Sequence, residues 1–374
     1  MTLKKKMITA IVSVMTLFMT AGAAIAEEAK KVLMVISSNG QDEGKTAPGY
    51  EFEEFSHAYL IFKANGLSVD IASPKGGEPV ADRYDPKDLI IAKILSDGEV
   101  MAKLTDTIPL SEINAAEYGG VFVVGGKGAM FDFHDNQHLQ SIISKVYSSG
   151  GTVSAVCHGP AALVNVKLED GSYLVAGKKV NGFTNLEEKM FGKKWMKDFE
   201  FMLEDELQAR GGVFQSSPMM LSHVATDGRL ITGQNPASTP KVAEEVVRSM
   251  GLTPVARTVE KDERTLDMVQ AVFSQGIKAT APYLENKEAY NGALISTYGF
   301  YFSMTAETKE DQSLAVDLMN VKTEMSNHHR LRLQVAQTLN KLGRTQEASE
   351  VAQAILVKKP DFKEAQAFLD SLAK

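Results

Sequence analysis

The sequence predicts an α/β fold, in which helices cover both faces of a parallel sheet, followed by an all-α C-terminal segment. Residues 31–37 (KVLMVIS) form an apolar run that is typical of a buried strand. Apolar residues at helical spacing follow over 50–65, and a second strand is predicted over 67–72. A strand, a helix and a strand in this order form the building block of a parallel sheet.

The same alternation continues along the chain. Further strands are predicted at 121–124, directly before Cys157, and at 179–182, 213–214 and 230–233, and helices at 137–149, 203–210 and 239–251. Ligand sites in such folds lie at the carboxyl ends of the strands, so we expect the residues that follow the strands to converge. These are Gly125, Gly126, Cys157 and Asn235, and Glu54 joins them from the first helix.

The first 26 residues have the features of a secretory signal peptide. Three lysines at 4–6 precede an apolar stretch over 7–22, and an A-x-A cleavage site ends at Ala26. We expect cleavage there and a periplasmic or secreted protein; an uncleaved membrane anchor is the alternative. The α/β domain then comprises residues 27–252.

Residues 253–374 have a different texture. Glycine becomes sparse, strand patterns vanish and helical periodicity dominates. The spacing of small and large residues over 330–374 resembles a tetratricopeptide repeat, a 34-residue helix–turn–helix unit. An ordinary helical hairpin is the alternative. A helical surface of this kind could bind a protein partner or mediate self-association.

Charge and cysteine content narrow the function. Without residues 1–26 the chain has 37 basic and 47 acidic residues, a net charge near −10, and no basic patch points to nucleic acid. Cys157 is the only cysteine, so an internal disulfide is impossible. In an exported protein such a thiol is either a buried, inert side chain or a reactive one.

The surroundings of Cys157 favour a reactive thiol. In the segment GGTVSAVCHGPAAL (150–163) a strand-like run ends at the cysteine, and a turn and a helix start follow it. This is the pattern of a nucleophile elbow, in which the side chain protrudes from a sharp strand-to-helix turn. The N-terminus of the following helix is expected to favour the thiolate. His158 is the adjacent candidate for proton transfer.

The run AVCHGPAAL (155–163) resembles the signature of the PfpI/DJ-1 superfamily, which has the class I glutamine amidotransferase-like, flavodoxin-like fold. The resemblance covers about 31–252. Its other motifs are GYEFEE (49–54), SPKGG (73–77), GGKG (125–128) with Asp132, GFTNLEE (182–188), LEDEL (203–207) and TGQNPAS (232–238). The chain is most similar to the branch of glutathione-independent glyoxalases and heat-shock chaperones.

The resemblance implies roles for individual residues. Cys157 would be the nucleophile, His158 its proton-transfer partner, and Glu188 the acid that orients the histidine, with Glu187 as a competitor for that place. Glu54 would be the buried carboxylic acid that touches the sulfur and relays protons.

The backbone is also given a role by the resemblance. The N–H groups of Gly126 and His158 would bind an oxyanion, and Gly125 and Lys127 would complete the substrate site. Lys127 departs from the family pattern, because many relatives have histidine there.

The implied reaction converts a small reactive aldehyde, methylglyoxal, into lactate without metal, glutathione or nucleotide, so no cofactor is expected. A holdase chaperone, a protein deglycase and a peptidase-like hydrolase are the alternatives that share these residues. Relatives commonly form homodimers. His134 and His138, beside Asp132 and Asp135, could suggest a metal site, but their spacing is incomplete and no metal is predicted.

Overall fold

The computed structural model describes residues 30–192, 194–322 and 328–372. The predicted signal peptide, residues 1–26, therefore lies outside the described residues. Within the described part of the chain, no helix combines the length and the apolar character needed to cross a membrane.

Most strands in the described residues belong to one seven-stranded sheet with the order β3-β2-β1-β4-β5-β9-β8, and β6 pairs with β7 separately. The strands are β1 (Lys31–Val35), β2 (Ser68–Ser73), β3 (Ile108–Pro109), β4 (Gly120–Val123), β5 (Thr152–Val156), β6 (Lys179–Val180), β7 (Val213–Phe214), β8 (Val224–Asp227) and β9 (Leu230–Gly233). Neighbouring strands of the sheet run parallel except β8, which is antiparallel to β9. The predicted α/β fold is confirmed, with an antiparallel edge strand that was not expected.

Among the described residues, eight α-helices accompany the sheet. They are α1 (Phe52–Ala64), α2 (Leu89–Ser96), α3 (Gly98–Thr105), α4 (Ala129–Asp132), α5 (Gln137–Ser148), α6 (Asn185–Phe191), α7 (Leu203–Ala209) and α8 (Thr239–Ser249). Neither α2 nor α3 was predicted, although aspartate side chains cap both: Asp88 accepts from Ile90 N–H, and Asp97 accepts from Glu99 N–H.

Two apolar layers lie on opposite faces of the sheet because successive strand residues point to opposite sides. Val32 and Met34 of β1 pack into the layer that contains α1 and α8, whereas Leu33 and Val35 pack into the layer with α5. These strand residues are fully buried. Burial on both faces explains why the strands of the sheet centre appear in the sequence as continuous apolar runs.

The C-terminal segment is helical, as predicted. Its helices are α9 (Lys261–Gln275), α10 (Ala281–Glu285), α11 (Gly292–Thr305), α12 (Lys309–Asn320), α13 (His329–Lys341), α14 (Thr345–Lys358) and α15 (Lys363–Leu372). The helices α13 and α14 pack together, and Gly343 (φ 81°) provides the left-handed residue in the turn between them. A tetratricopeptide identity for this pair remains a prediction.

The helical segment packs on the α/β part rather than standing apart from it. Leu221, which precedes β8, is fully buried in the apolar cluster of α9, α11 and α12. The Gln270 side chain of α9 donates to the carbonyl of Ser222 at 3.2 Å. The rings of Phe191 in α6 and Tyr301 in α11 meet edge to face with centroids 5.2 Å apart.

Candidate active site

Cys157 occupies a strained turn at the carboxyl end of β5. Its φ is 60°, in the left-handed region that a side chain with a Cβ rarely adopts. Its N–H donates to Gly233 O at 2.9 Å, which fixes this turn to the neighbouring strand β9. Such strain costs about 1–3 kcal/mol and persists where the surrounding structure imposes it, commonly at functional sites. The predicted elbow is therefore present in the backbone.

The element after the cysteine differs from the expectation. A short 3₁₀ helix, Gly159–Leu163, follows instead of an α-helix. Pro160, at its second position, has no N–H to contribute. Because a five-residue turn aligns few peptide dipoles, the predicted stabilisation of a thiolate by a helix N-terminus is weak here.

Three side chains form a buried chain of polar contacts. Cys157 Sγ lies 3.3 Å from His158 Nδ1, and His158 Nε2 lies 2.7 Å from Glu188 Oε2. The exposed fractions of Cys157, His158 and Glu188 are 4%, 1% and 4%. A carboxylate at Nε2 favours the tautomer whose proton lies there, which leaves the Nδ1 lone pair facing the thiol. The geometry therefore suits proton transfer from sulfur to histidine.

The two adjacent glutamates have separate partners. Glu188 contacts His158, whereas Glu187 is the third residue of α6 and forms a capping box with the N-cap residue Thr184, accepting from Thr184 N–H and Thr184 Oγ1, both at 2.9 Å. Glu187 also accepts from Met220 N–H at 2.7 Å and from the side-chain amide of Asn235 at 2.9 Å. The structure therefore places Glu188, and not Glu187, against the histidine.

Glu54 reaches the cysteine from α1. It is fully buried, its Oε2 accepts from Gly125 N–H at 2.8 Å, and its carboxyl group interacts with the Cys157 thiol. The close approach requires glycine at 125, because an added Cβ there would lie 2.6 Å from Glu54 Oε2 and 2.7 Å from Cys157 Cβ. Gly125 therefore leaves the room in which the carboxyl and the thiol meet.

The predicted oxyanion donors flank the sulfur. The N–H of Gly126 lies close enough to Cys157 to lower the pKa of its thiol, and the N–H of His158 has no hydrogen-bond acceptor among the described residues. Lys127 lies near enough to lower the pKa of the thiol by its charge, and its Nζ lies 5.9 Å from the centroid of the Phe183 ring. These groups could bind a negatively charged oxygen beside the sulfur.

Without substrate, the protonation state of Cys157 differs from the thiolate that the sequence suggested. Burial raises the pKa of Glu54 well above its usual range, which favours the protonated form of this carboxyl. Burial likewise raises the pKa of the Cys157 thiol, and it lowers the pKa of His158. A neutral thiol therefore faces a neutral imidazole, and charge develops only when a substrate accepts it.

Three contributions to the site were missed by sequence reasoning. Phe199 packs edge to face on the His158 ring with centroids 6.2 Å apart. Burial raises the pKa of Glu51 to about 7, opposed in part by the charge of Lys127. An added Cβ at Gly192 would overlap Glu188 Oε1. Only Glu51, inside the motif at 49–54, stood in a segment that the sequence singled out.

Three residues that the sequence singled out lie elsewhere. Asn235 does not reach the cysteine; its amide belongs to the contacts of Glu187, as described above. His134 packs against the Phe201 ring, and Asp132 accepts from Ser37 Oγ at 2.9 Å and from Ser38 N–H at 2.7 Å. Among the described residues, no group of three or more histidine, cysteine and acidic side chains is arranged to bind a metal ion.

The fold and the site together define an α/β protein with a cysteine at a nucleophile elbow, next to a histidine–glutamate pair and a buried carboxylic acid. The chain belongs to the DJ-1/PfpI family, whose profile matches residues 30–249. The resemblance found in the sequence motifs is thereby confirmed.

Named relatives come from fungi and bacteria. Glyoxalase 3 of Candida albicans is 31% identical over 230 residues, which cover 58% of this chain and 97% of that protein. Glutathione-independent glyoxalase HSP31 of Saccharomyces cerevisiae is 30% identical over 230 residues, covering 57% and 95%. The X-ray structure of the Rapid Encystment Protein 24 kDa of Francisella tularensis superposes with a TM-score of 0.56 at 32% identity, covering 59% and 99%.

Proposed function

We propose that this protein is a cysteine-dependent glyoxalase that converts methylglyoxal into lactate without a cofactor. The carrying observation is the buried arrangement of Cys157, His158 and Glu188 with the Glu54 carboxyl against the sulfur. The relatives that are 31% and 30% identical are named glyoxalases, which favours the aldehyde reaction over the holdase, deglycase and peptidase alternatives.

The first step is addition of sulfur to the aldehyde. Sγ forms a bond to the aldehyde carbon while the thiol proton passes to Nδ1 of His158, and Glu188 stabilises the imidazolium through Nε2. The N–H groups of Gly126 and His158 bind the developing oxyanion, which takes a proton from the Glu54 carboxyl. The product is a hemithioacetal.

The second step moves one hydrogen between the two carbons. Glu54, now a carboxylate, removes the carbon-bound proton of the hemithioacetal while the His158 imidazolium protonates the ketone oxygen, and an enediol forms. Glu54 then returns its proton to the former ketone carbon, the hydroxyl on the sulfur-bearing carbon gives its proton to His158, and a lactoyl thioester on Cys157 results. Hydrolysis by water releases lactate and one proton and restores the thiol, so methylglyoxal plus water yields lactate and a proton with no external oxidant or reductant.

The test is lactate formation by the purified protein in the absence of glutathione. We expect turnover by the wild type, and lactate at the no-enzyme background for Cys157→Ala. His158→Ala should be similarly impaired, whereas His138→Ala, which changes an exposed histidine outside the site, should keep wild-type activity. Wild-type protein that forms no more lactate than Cys157→Ala would exclude this function.

We also propose that the protein is exported and that residues 1–26 are removed. The support is the lysine-rich start, the apolar stretch and the A-x-A site. After expression of the whole chain in a Gram-negative host, mass spectrometry of the periplasmic fraction should find a protein that starts at Glu27. An intact N-terminus in the membrane fraction would indicate an anchor instead.

Self-association and a protein partner complete the proposal. We infer a homodimer, for which light scattering should give about twice the 40.7 kDa mass of the whole chain, less any leader removed. We further infer that α13 and α14 form a tetratricopeptide-like surface that binds a protein. Val357 of α14 is 83% exposed, so Val357→Glu should abolish partner capture without changing the oligomeric mass.

A further inference from the structure

A cavity of about 520 Å³ lies between the α/β part and the helical segment. Its walls come from α1, α2 and α6 on one side, and from α9 and α11 on the other. The cavity is separate from the row of catalytic side chains, because none of Cys157, His158 and Glu188 lines it. Small-molecule sites commonly have this size and commonly lie between domains.

The larger part of the cavity wall is apolar and adaptable. It includes Phe191, Met219, Met220, Leu266, Leu294 and Tyr301. Unbranched methionine side chains adjust to irregular ligands, and the aromatic rings present faces that attract cations. This wall fits an apolar or aromatic body.

The polar part of the lining is mainly acidic. Its carboxylates belong to Glu53, Asp88, Glu260, Asp262 and Glu263, and Lys261 is the one basic residue with a permanent charge among the lining residues. Arg257 pairs with Glu263 at 2.6 Å and offsets that charge. The remaining carboxylates leave the cavity negative, so it attracts a positively charged group.

One buried hydroxyl in the lining has no partner. Tyr298 is 4% exposed, and its hydroxyl has no hydrogen-bond partner among the described residues. A buried hydroxyl that lacks a hydrogen bond destabilises the folded protein. A ligand that donates to this oxygen would relieve part of that destabilisation.

We propose that this cavity is a binding site for an amphipathic organic cation, with an apolar or aromatic body and a protonated amine. The body packs on Phe191 and the methionines, the amine faces the carboxylates, and one of its N–H groups donates to Tyr298 Oη. This site is additional to the aldehyde site, and its occupancy does not depend on the proposed glyoxalase activity.

Binding can be measured with dansylcadaverine, a fluorescent cation with an aromatic body, and with its N-acetyl derivative, which lacks the charge. We expect saturable binding of the cation and at least fivefold weaker binding of the acetylated probe. The affinity for the cation should also fall as the salt concentration rises. Tyr298→Phe should lower the affinity for the cation about fivefold. Its thermal midpoint should stay equal or rise, because the variant removes an unpaired buried hydroxyl.

A cavity-filling variant locates the probe. Thr297 lines the cavity from an exposed position on α11, so Thr297→Trp should abolish binding without disturbing the core. Met304→Trp changes an exposed residue on the same helix outside the lining and should bind the probe as the wild type does. Unchanged binding by Thr297→Trp would overturn the location, and equal binding of the acetylated probe would overturn the ligand class. Absence of any binding up to millimolar probe would overturn both.

Discussion

Replacing Gly192 by alanine tests whether the Glu188–His158 contact is needed for turnover. Gly192 ends α6 with φ −88° and ψ −7°, a conformation that alanine adopts without strain. The added Cβ would overlap Glu188 Oε1, so the carboxyl must withdraw by about 2 Å to reach ordinary contact distance. That movement breaks the 2.7 Å bond to His158 Nε2, since hydrogen bonds of this kind end near 3.2 Å.

The expected loss follows from the strength of that bond. A hydrogen bond to a charged group contributes about 1.5–3 kcal/mol, so kcat/KM for methylglyoxal should fall by about 10- to 150-fold. The added Cβ also lies 2.8 Å from the Glu188 carbonyl oxygen, so the last turn of α6 must shift slightly as well; a shift of this size leaves the fold intact. We therefore expect a thermal midpoint within a few degrees of the wild type. Steady-state lactate formation and thermal unfolding measure the two effects.

Two further variants make this test decisive. Gly98→Ala adds a Cβ into open space at the start of α3, so it should keep full activity. If Gly192 acts only through Glu188, then Gly192→Ala/Glu188→Ala should be no slower than Glu188→Ala alone. Wild-type kcat/KM in a folded Gly192→Ala protein would refute the reasoning, and so would losses that add in the double variant.

Three other changes separate the roles of charged groups at the site and elsewhere in the α/β part. Glu187→Ala should lower the free energy of unfolding by about 3 kcal/mol or more, because several buried donors lose their acceptor. Glu188→Ala should mainly lower kcat. Denaturant titration and kinetics measure the two effects, and they would show the opposite pattern if Glu187 were the partner of His158. The lysine charge lowers the pKa of the Cys157 thiol. Lys127→Ala should therefore move the inflection that reflects ionisation of this thiol, in the pH profile of kcat/KM, to higher pH. An unmoved inflection would contradict an effect of the Lys127 charge on the thiol. Burial raises the pKa of Asp132 to about 7, so the folded state binds its proton more tightly than the unfolded state, and this residue's contribution to stability falls as pH rises from about 4 to 7. Asp132→Asn should therefore flatten the decline of the thermal midpoint across that range, and an unchanged slope would count against it.

Much of the fold was predictable because strands that are buried on both faces have continuous apolar sequences. The runs at 31–37 and 121–124 are apolar throughout since both sheet faces are covered, and they located β1 and β4 within about two residues. The edge strand β8 was not predicted because it is short and only Ala225 among its four residues is buried. The helix α2 was missed although Asp88 is a typical N-cap residue, because its apolar run lacks a clear polar face.

The site was predictable as a set of residues but not as a set of contacts. Sequence motifs brought Cys157, Glu54 and the adjacent pair of glutamates to attention. Which glutamate meets His158 depends on the roughly 100° rotation between neighbouring positions of α6, and only the surrounding partners decide it. The requirement for glycine at 192 arises from a contact across one helical turn, for which a lone glycine gives no signal.

The helical segment is part of the support of the active site, and this changes how the chaperone alternative can be examined. Glu187 is held by Met220 N–H, and the segment that contains Met220 continues into Leu221, which is buried among α9, α11 and α12. Deleting residues 253–374 would expose Leu221 and loosen the contacts beside Glu188 at the same time. A truncated chain that lost activity would therefore not show that the helices bind substrate, and one that aggregated would not show that they bind clients. Single surface substitutions such as Val357→Glu keep this support intact, so they are the changes that can separate partner binding from catalysis.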